Sequence, residues 1–167
     1  MNQEAELIKK LKNSKLKDQA YKELLDLYQE RLYWHIRKIV ITHDNANDVL
    51  QNTFIRVYKG IKNFKEQSKL HTWMYRIAYN ESIRYLEKNK INSSISIEHD
   101  NNSYINTLKQ DEYFDGDELQ MRLHNIISGL SEKQQRVFQM KYFDDLSFRE
   151  ISEILNVSES TLKSSYY

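Results

Sequence analysis

No proline interrupts these 167 residues, and only three glycines do: Gly60, Gly116 and Gly129. Pro and Gly are the strongest local breakers of helix. Their near absence permits long helices joined by polar turns and disfavours a fold built on tight β-turns. It also argues against a glycine-rich phosphate loop. Few stretches alternate with period two, while apolar residues recur at three-to-four spacing, so the expected fold is all-α.

That spacing divides the chain. Residues 3–11 form a short amphipathic helix through Leu7, Ile8 and Leu11. Residues 18–40 read as a long helix capped by Asp18, with Ala20, Leu24, Leu27, Tyr28, Leu32, His35, Ile36 and Ile39 on one face. Residues 44–60 follow, capped by Asp44, with Phe54 among the inward residues and Gly60 at the stop. After a loop at 61–68, Ser68 caps a helix to about Lys88, with Leu70, Trp73, Met74, Ile77, Ala78 and Leu86 inward. Residues 1–90 therefore make one helical bundle domain.

Residues 91–118 read as an acidic flexible linker, rich in Asn, Ser and Asp, with a short helix near 103–110. A second domain spans 119–167. One helix runs through Leu119, Leu123, Ile126 and Ile127 to Gly129. The next is capped by Ser131 with Gln134 in reciprocal position, and places Val137, Phe138 and Tyr142 inside. Ser147 with Glu150 caps residues 148–155. Asn156 supplies a left-handed turn, and Ser158 caps a last helix. Phe148, Ile151, Ile154, Leu155, Val157 and Leu162 hold this closing helix-turn-helix together.

The formal net charge of +1 conceals segregation. Residues 1–53 carry +1, residues 54–90 carry +6, residues 91–121 carry −6, and residues 122–167 sum to zero. The second block suits a polyanion and the third repels one. With no Cys, disulfides and thiolate chemistry are excluded and a reducing compartment is compatible. A polar N-terminus without an apolar core predicts no export and a cytoplasmic location. No apolar run approaches membrane-spanning length, so no membrane insertion is expected.

No catalytic constellation stands out. His35, His43, His71, His99 and His124 lack metal-ligand spacing, and no metal or cofactor is expected. His35 and His124 read as interface or partly buried residues. Asp144 and Asp145 read as a solvated turn. An enzyme is not expected. The aromatic and basic stretch 58–90 is more informative, because cations neutralise phosphates and exposed rings stack on unpaired bases. In the last helix, Ser158, Ser160, Thr161, Lys163 and Ser164 are left to cap or to face DNA.

Taken together, DNANDVLQNTFIRVYKGIKNFKEQSKLHTWMYRIAYN and GLSEKQQRVFQMKYFDDLSFREISEILNVSESTLKS resemble the extracytoplasmic-function class of bacterial sigma factors. The resemblance covers about residues 15–90 and 119–167. It implies an RNA polymerase sigma factor that directs promoter recognition, strand opening and transcription initiation. Its partners would be core polymerase, promoter DNA and an anti-sigma factor. Asp48, Gln51 and Asn52 then contact the polymerase clamp, while Phe54 packs inside. Phe64, Lys65, Lys69, Trp73, Arg76, Asn80 and Arg84 serve the −10 region, with loop 64–70 receiving a flipped base. Ser158, Ser160, Thr161, Lys163 and Ser164 serve the −35 region. The acidic linker, with Asp111, Glu112, Asp115, Asp117 and Glu118, would thread the RNA exit path.

Departures accompany the match. Tyr79 stands where Arg is common, Arg84 where Asp is, Glu87 where a base is, Ser131 where Pro is, Ser152 where Ala is, and Asn156 where Gly is. The last helix carries one Lys and no Arg, which predicts a truncated C-terminus and impaired −35 binding. The competing reading is a helix-turn-helix regulator acting without polymerase core, and after it a protein-binding adaptor. Neither needs both the DVLQNTF segment and the 58–90 block.

Overall fold

The computed structural model describes residues 3–92 and 118–166, and all its regular elements are helical. In chain order they are α1 (Gln3–Lys12), α2 (Lys17–Val40), α3 (His43–Gly60), a 3-10 turn (Ile61–Asn63), α4 (Leu70–Asn92), α5 (Glu118–Ser128), α6 (Glu132–Tyr142), α7 (Phe148–Leu155) and α8 (Glu159–Tyr166). The acidic linker, its helix near 103–110, and His99 lie outside the described residues.

Helices α2, α3 and α4 pack against one another, and α1 lies on α2 and on the 3-10 turn. Leu24, Leu32, Ile36, Val49, Val57, Leu70, Met74 and Ala78 form the centre of this bundle. The second half does not stand apart. Helix α7 packs along α4, and Val137, Met140, Leu146, Ile151, Ile154 and Leu162 belong to the same continuous core.

Several helix starts differ from expectation. Helix α2 begins at Lys17 behind Leu16, which makes no side-chain cap. Asp18 instead accepts from the Tyr58 hydroxyl at 2.9 Å, tying α2 to α3. Thr42, extended at φ −99°, caps α3 through the Asn45 amide, so Asp44 falls in the first turn as a charge that complements the helix dipole. The Leu70 amide at the start of α4 donates to Glu4 at 2.8 Å, a cap supplied by α1. The two capping boxes, Ser131 with Gln134 and Ser147 with Glu150, are both formed. Asn156 closes α7 at φ 56°, ψ 46°, the left-handed conformation its side chain tolerates.

Four apolar assignments also change. Leu27, Leu119, Ile126 and Tyr142 are exposed. In α5 the buried positions are His124 and Ile127, because the helix turns that edge towards Phe143. The α2–α3 corner is strained: Ile41, a β-branched residue, sits at φ 80°. The buried Arg37 holds it there, its Nε donating to the Ile41 carbonyl at 2.7 Å.

Candidate nucleic-acid interface

The buried face of α3 comprises Ala46, Val49, Leu50, Thr53, Phe54 and Val57. At 100° per residue, Asp48, Gln51, Asn52 and Ile55 fall on the opposite side. All four are exposed, so the three residues expected to meet a protein partner share one open stripe. Ile55 is an apolar member that the polar pattern did not flag. Phe54 is buried, as expected.

Loop 64–69 is held at both ends by α1. Lys12 donates to the Phe64 carbonyl at 2.7 Å, and Glu4 accepts from Leu70. This role of α1 was not legible beforehand, because amphipathic spacing reports a buried face and not what the polar face grips. Phe64 itself is buried and lies 4.8 Å from the Trp73 ring. It therefore walls the loop from inside. A methyl group at Gly60 would lie 3.3 Å from Trp73, so the small residue lets the indole rest on the end of α3.

Lys65, Lys69, Asn80 and Arg84 are exposed, while Trp73 and Arg76 are half-buried. Trp73, Ile77, Asn80 and Arg84 follow one stripe along α4, bordering α3. The neighbouring edge, with His71, Thr72, Tyr75 and Tyr79, faces the C-terminal helices. Ser158, just before α8, and Ser160, Thr161, Lys163 and Ser164 within it are exposed. All four of these hydroxyls already have local work: Ser158 Oγ lies 2.7 Å from Thr161 Oγ1 and 3.3 Å from Ser160 Oγ. Ser158 accepts from the Thr161 amide at 3.4 Å, and Ser164 donates to the Ser160 carbonyl at 3.1 Å.

The contact between the two halves is polar at its centre. Asp144 is not a solvated turn residue: it is 6% exposed. Its carboxylate meets His35 Nδ1 at 2.8 Å and Lys38 Nζ at 2.9 Å, both from α2. Asp145, at φ 54°, takes the left-handed conformation beside it. Burial alone would raise the Asp144 carboxyl, yet Lys38 and His35 together hold it below its ordinary range. Tyr75 packs edge-on to His35 at 4.9 Å. Burial first, then Asp144, push its hydroxyl up to about 12.

A second clasp joins α7 to α4. One Glu150 oxygen closes the capping box on the Ser147 amide at 2.8 Å. The other contacts His71 Nε2 at 2.8 Å and accepts from the Thr72 hydroxyl at 3.3 Å. Burial raises this carboxyl, but the Ser147 amide, His71 and Lys69 more than offset it and lower it below the usual value. Beside the clasp lies a groove of about 510 Å³, lined by Ala5, Glu66, Lys69, Arg149 and Glu153 among others.

His124 stacks on Phe143 at 4.8 Å. Burial, and then Lys38, lower its pKa from 6.5 to about 4. Its folded pKa lies below the unfolded one, so the contribution is fully present above pH 6.5 and is lost as pH falls towards 4. The largest effect is about 3 kcal/mol, at 1.36 per tenfold. His124→Phe is expected to flatten the stability profile across that window in denaturant titrations. An unchanged slope would show that His124 is not the group responsible.

Among the described residues no cluster of three or more His, Asp or Glu is arranged for a metal, and no helix is long and apolar enough to cross a membrane. The family model for Sigma-70 region 2 matches residues 24–91, and that for Sigma-70 region 4 matches residues 120–167. The ECF RNA polymerase sigma factor SigW of Bacillus subtilis is 32% identical over 164 residues, covering 93% of this chain and 88% of its own. The ECF RNA polymerase sigma-E factor of Haemophilus influenzae is 28% identical, covering 87% and 80%. Among solved structures, CnrH in complex with the cytosolic domain of CnrY aligns at TM-score 0.69 and 15% identity over 99% of this chain and 90% of that one. The sigma factor RpoE with the anti-sigma factor NepR from Bartonella quintana aligns at 0.64 and 18%, over 87% and 89%.

Proposed function

The chain belongs to the extracytoplasmic-function RNA polymerase sigma factors, and from that membership we propose how its own residues divide the work of initiation. Residues 1–90 carry polymerase binding and −10 melting, and residues 119–167 carry −35 recognition. The exposed stripe Asp48, Gln51 and Asn52 docks on core polymerase. Lys65, Lys69, Trp73, Arg76, Asn80 and Arg84 meet the −10 region, with Phe64 supporting the loop from behind. Ser160, Thr161 and Lys163 provide the −35 contacts from α8, and Ser158 and Ser164 frame them. Strand separation is this chain's chemistry, and bond making is left to the polymerase. An anti-sigma protein is the inhibitor we infer, since the solved relative RpoE is bound to one.

The observation that carries this division is the order of the two matched regions, each on a helical unit with an open polar face. The test is transcription with matched core polymerase on a broad promoter library. The unaltered chain is expected to initiate from a subset of promoters, and Gln51→Ala with Asn52→Ala together to abolish it. No initiation from any promoter would overturn the reading, as would full activity of the double variant.

The docked arrangement adds a requirement. Positions −10 and −35 lie about 25 base pairs apart, roughly 85 Å along a duplex at 3.4 Å per pair. A compact chain of this length is roughly 40 Å across. The contact between α4 and α7 must therefore open before one molecule reads both elements.

A further inference from the structure

Glu81 of α4 is 8% exposed and carries two arginines on one oxygen. Oε1 accepts from Arg84 at 2.9 Å, one turn along α4, and pairs with Nε of Arg56 on α3. The two arginine side chains nevertheless remain 58% and 53% exposed. A buried carboxylate needs such partners, but one arginine would neutralise it. With two, the node keeps a net positive charge at the surface.

Arg56 does not belong to the polymerase-facing stripe. On α3 it falls beside Val49, on the flank turned towards α4, about 90° from the centre of Asp48, Gln51, Asn52 and Ile55. That flank borders the α4 stripe of Trp73, Ile77, Asn80 and Arg84. The docked C-terminal helices cover the other edge of α4, so the pair stands open in this arrangement. Guanidinium groups present a planar fork suited to phosphate oxygens, and a fixed fork loses less freedom on binding than a mobile one.

We propose that Glu81 is a positioning residue that aims Arg56 and Arg84 together at the phosphate backbone of promoter DNA alongside the −10 contacts. This rests on the sigma-factor reading and adds to it Arg56, an arginine from the helix otherwise given to polymerase. The carboxylate works against the local field, since it lowers the positive charge, yet it serves binding by holding two cations in register.

That opposition gives the test a sign. Open-complex formation by the full chain with core polymerase is measured at several salt concentrations, on a promoter from which the unaltered chain initiates. Glu81→Gln raises the net charge by one, so a purely electrostatic or tethering role predicts equal or tighter DNA binding. Loss of aim predicts binding weaker by about threefold or more. Arg56→Gln and Arg84→Gln are each expected to weaken binding and to lower the log–log salt slope by about one. Affinity for core polymerase is expected to stay unchanged in all three.

Tighter or equal binding by Glu81→Gln overturns the proposal, as does an unchanged salt slope in Arg56→Gln. Should Glu81→Gln fail to fold by circular dichroism, Arg56→Lys with Arg84→Lys decides. That pair keeps both charges but lacks the fork, and binding equal to the unaltered chain overturns the proposal. Absence of initiation by the unaltered chain is a separate outcome, which removes the sigma-factor reading and this inference with it.

Discussion

Asp144→Ala is expected to destabilise the chain by about 3–5 kcal/mol, the usual cost of removing one partner from a buried ion pair. The carboxylate is almost wholly buried and satisfies Lys38 and His35 at once. Its removal strands the Lys38 ammonium, itself buried, beside the Phe143 ring at 4.9 Å. For a chain of this size the loss corresponds to a melting temperature lower by about 10 °C. Thermal unfolding by circular dichroism reads it directly, and a change below about 1 kcal/mol would show that the clasp is not an energetic centre.

A second substitution separates the charge from the contact. Asp144→Leu combined with Lys38→Met removes both charges and fills the site with apolar volume, which is often close to neutral. It is expected to recover most of the loss. Acidity supplies an independent check. The folded pKa of Asp144 is depressed, so its contribution is present above the ordinary carboxylate value and is lost as pH falls through the folded one. Asp144→Ala is expected to remove that part of the acid sensitivity.

Asp144 also marks where sequence reading stops. The α-helical class, the helix-turn-helix, both serine capping boxes and the left-handed Asn156 are written in local patterns of three to five residues, and the structure forms each of them. Two adjacent aspartates in a turn look solvated on the same local grounds. Only the long-range meeting with α2, more than a hundred residues earlier, reveals one of them as buried. The grip of α1 on loop 64–69 and the shared carboxylate of Glu81 are hidden for the same reason. Helix starts failed more gently: Asp18 and Asp44 are residue types that cap well, but Thr42, two residues before Asp44, caps α3, and Tyr58 claims Asp18. Exposure of Leu119 and Ile126 has another origin. Their spacing marks a helix but not its covered side, which is set by His124, Ile127 and the contact with Phe143.

Tethering α1 to α7 is expected to abolish promoter-dependent initiation while leaving polymerase binding intact. Ala5 and Arg149 line the same groove and are both exposed. Neither belongs to the residues assigned to DNA or polymerase. The native chain has no cysteine, so Ala5→Cys with Arg149→Cys offers one unique pair for a short bis-maleimide. The tether keeps α7 on α4, with Glu150 held against His71 and Thr72 and acting on Lys69. On the proposed division Lys69 meets DNA, so a carboxylate beside it opposes a phosphate, and docked α7 keeps α8 tens of ångströms short of the span between the two promoter elements. The α3 stripe proposed to meet polymerase stays exposed in the docked form, so core binding is expected to survive. Initiation is expected to fall at least about tenfold, a barrier change near 1.4 kcal/mol or more, in proportion to the cross-linked fraction. The same double variant alkylated singly at each cysteine is expected to initiate normally. Initiation that persists in fully cross-linked protein would show that the two halves read DNA without parting, and that the clasp at Asp144 and Glu150 is a permanent joint.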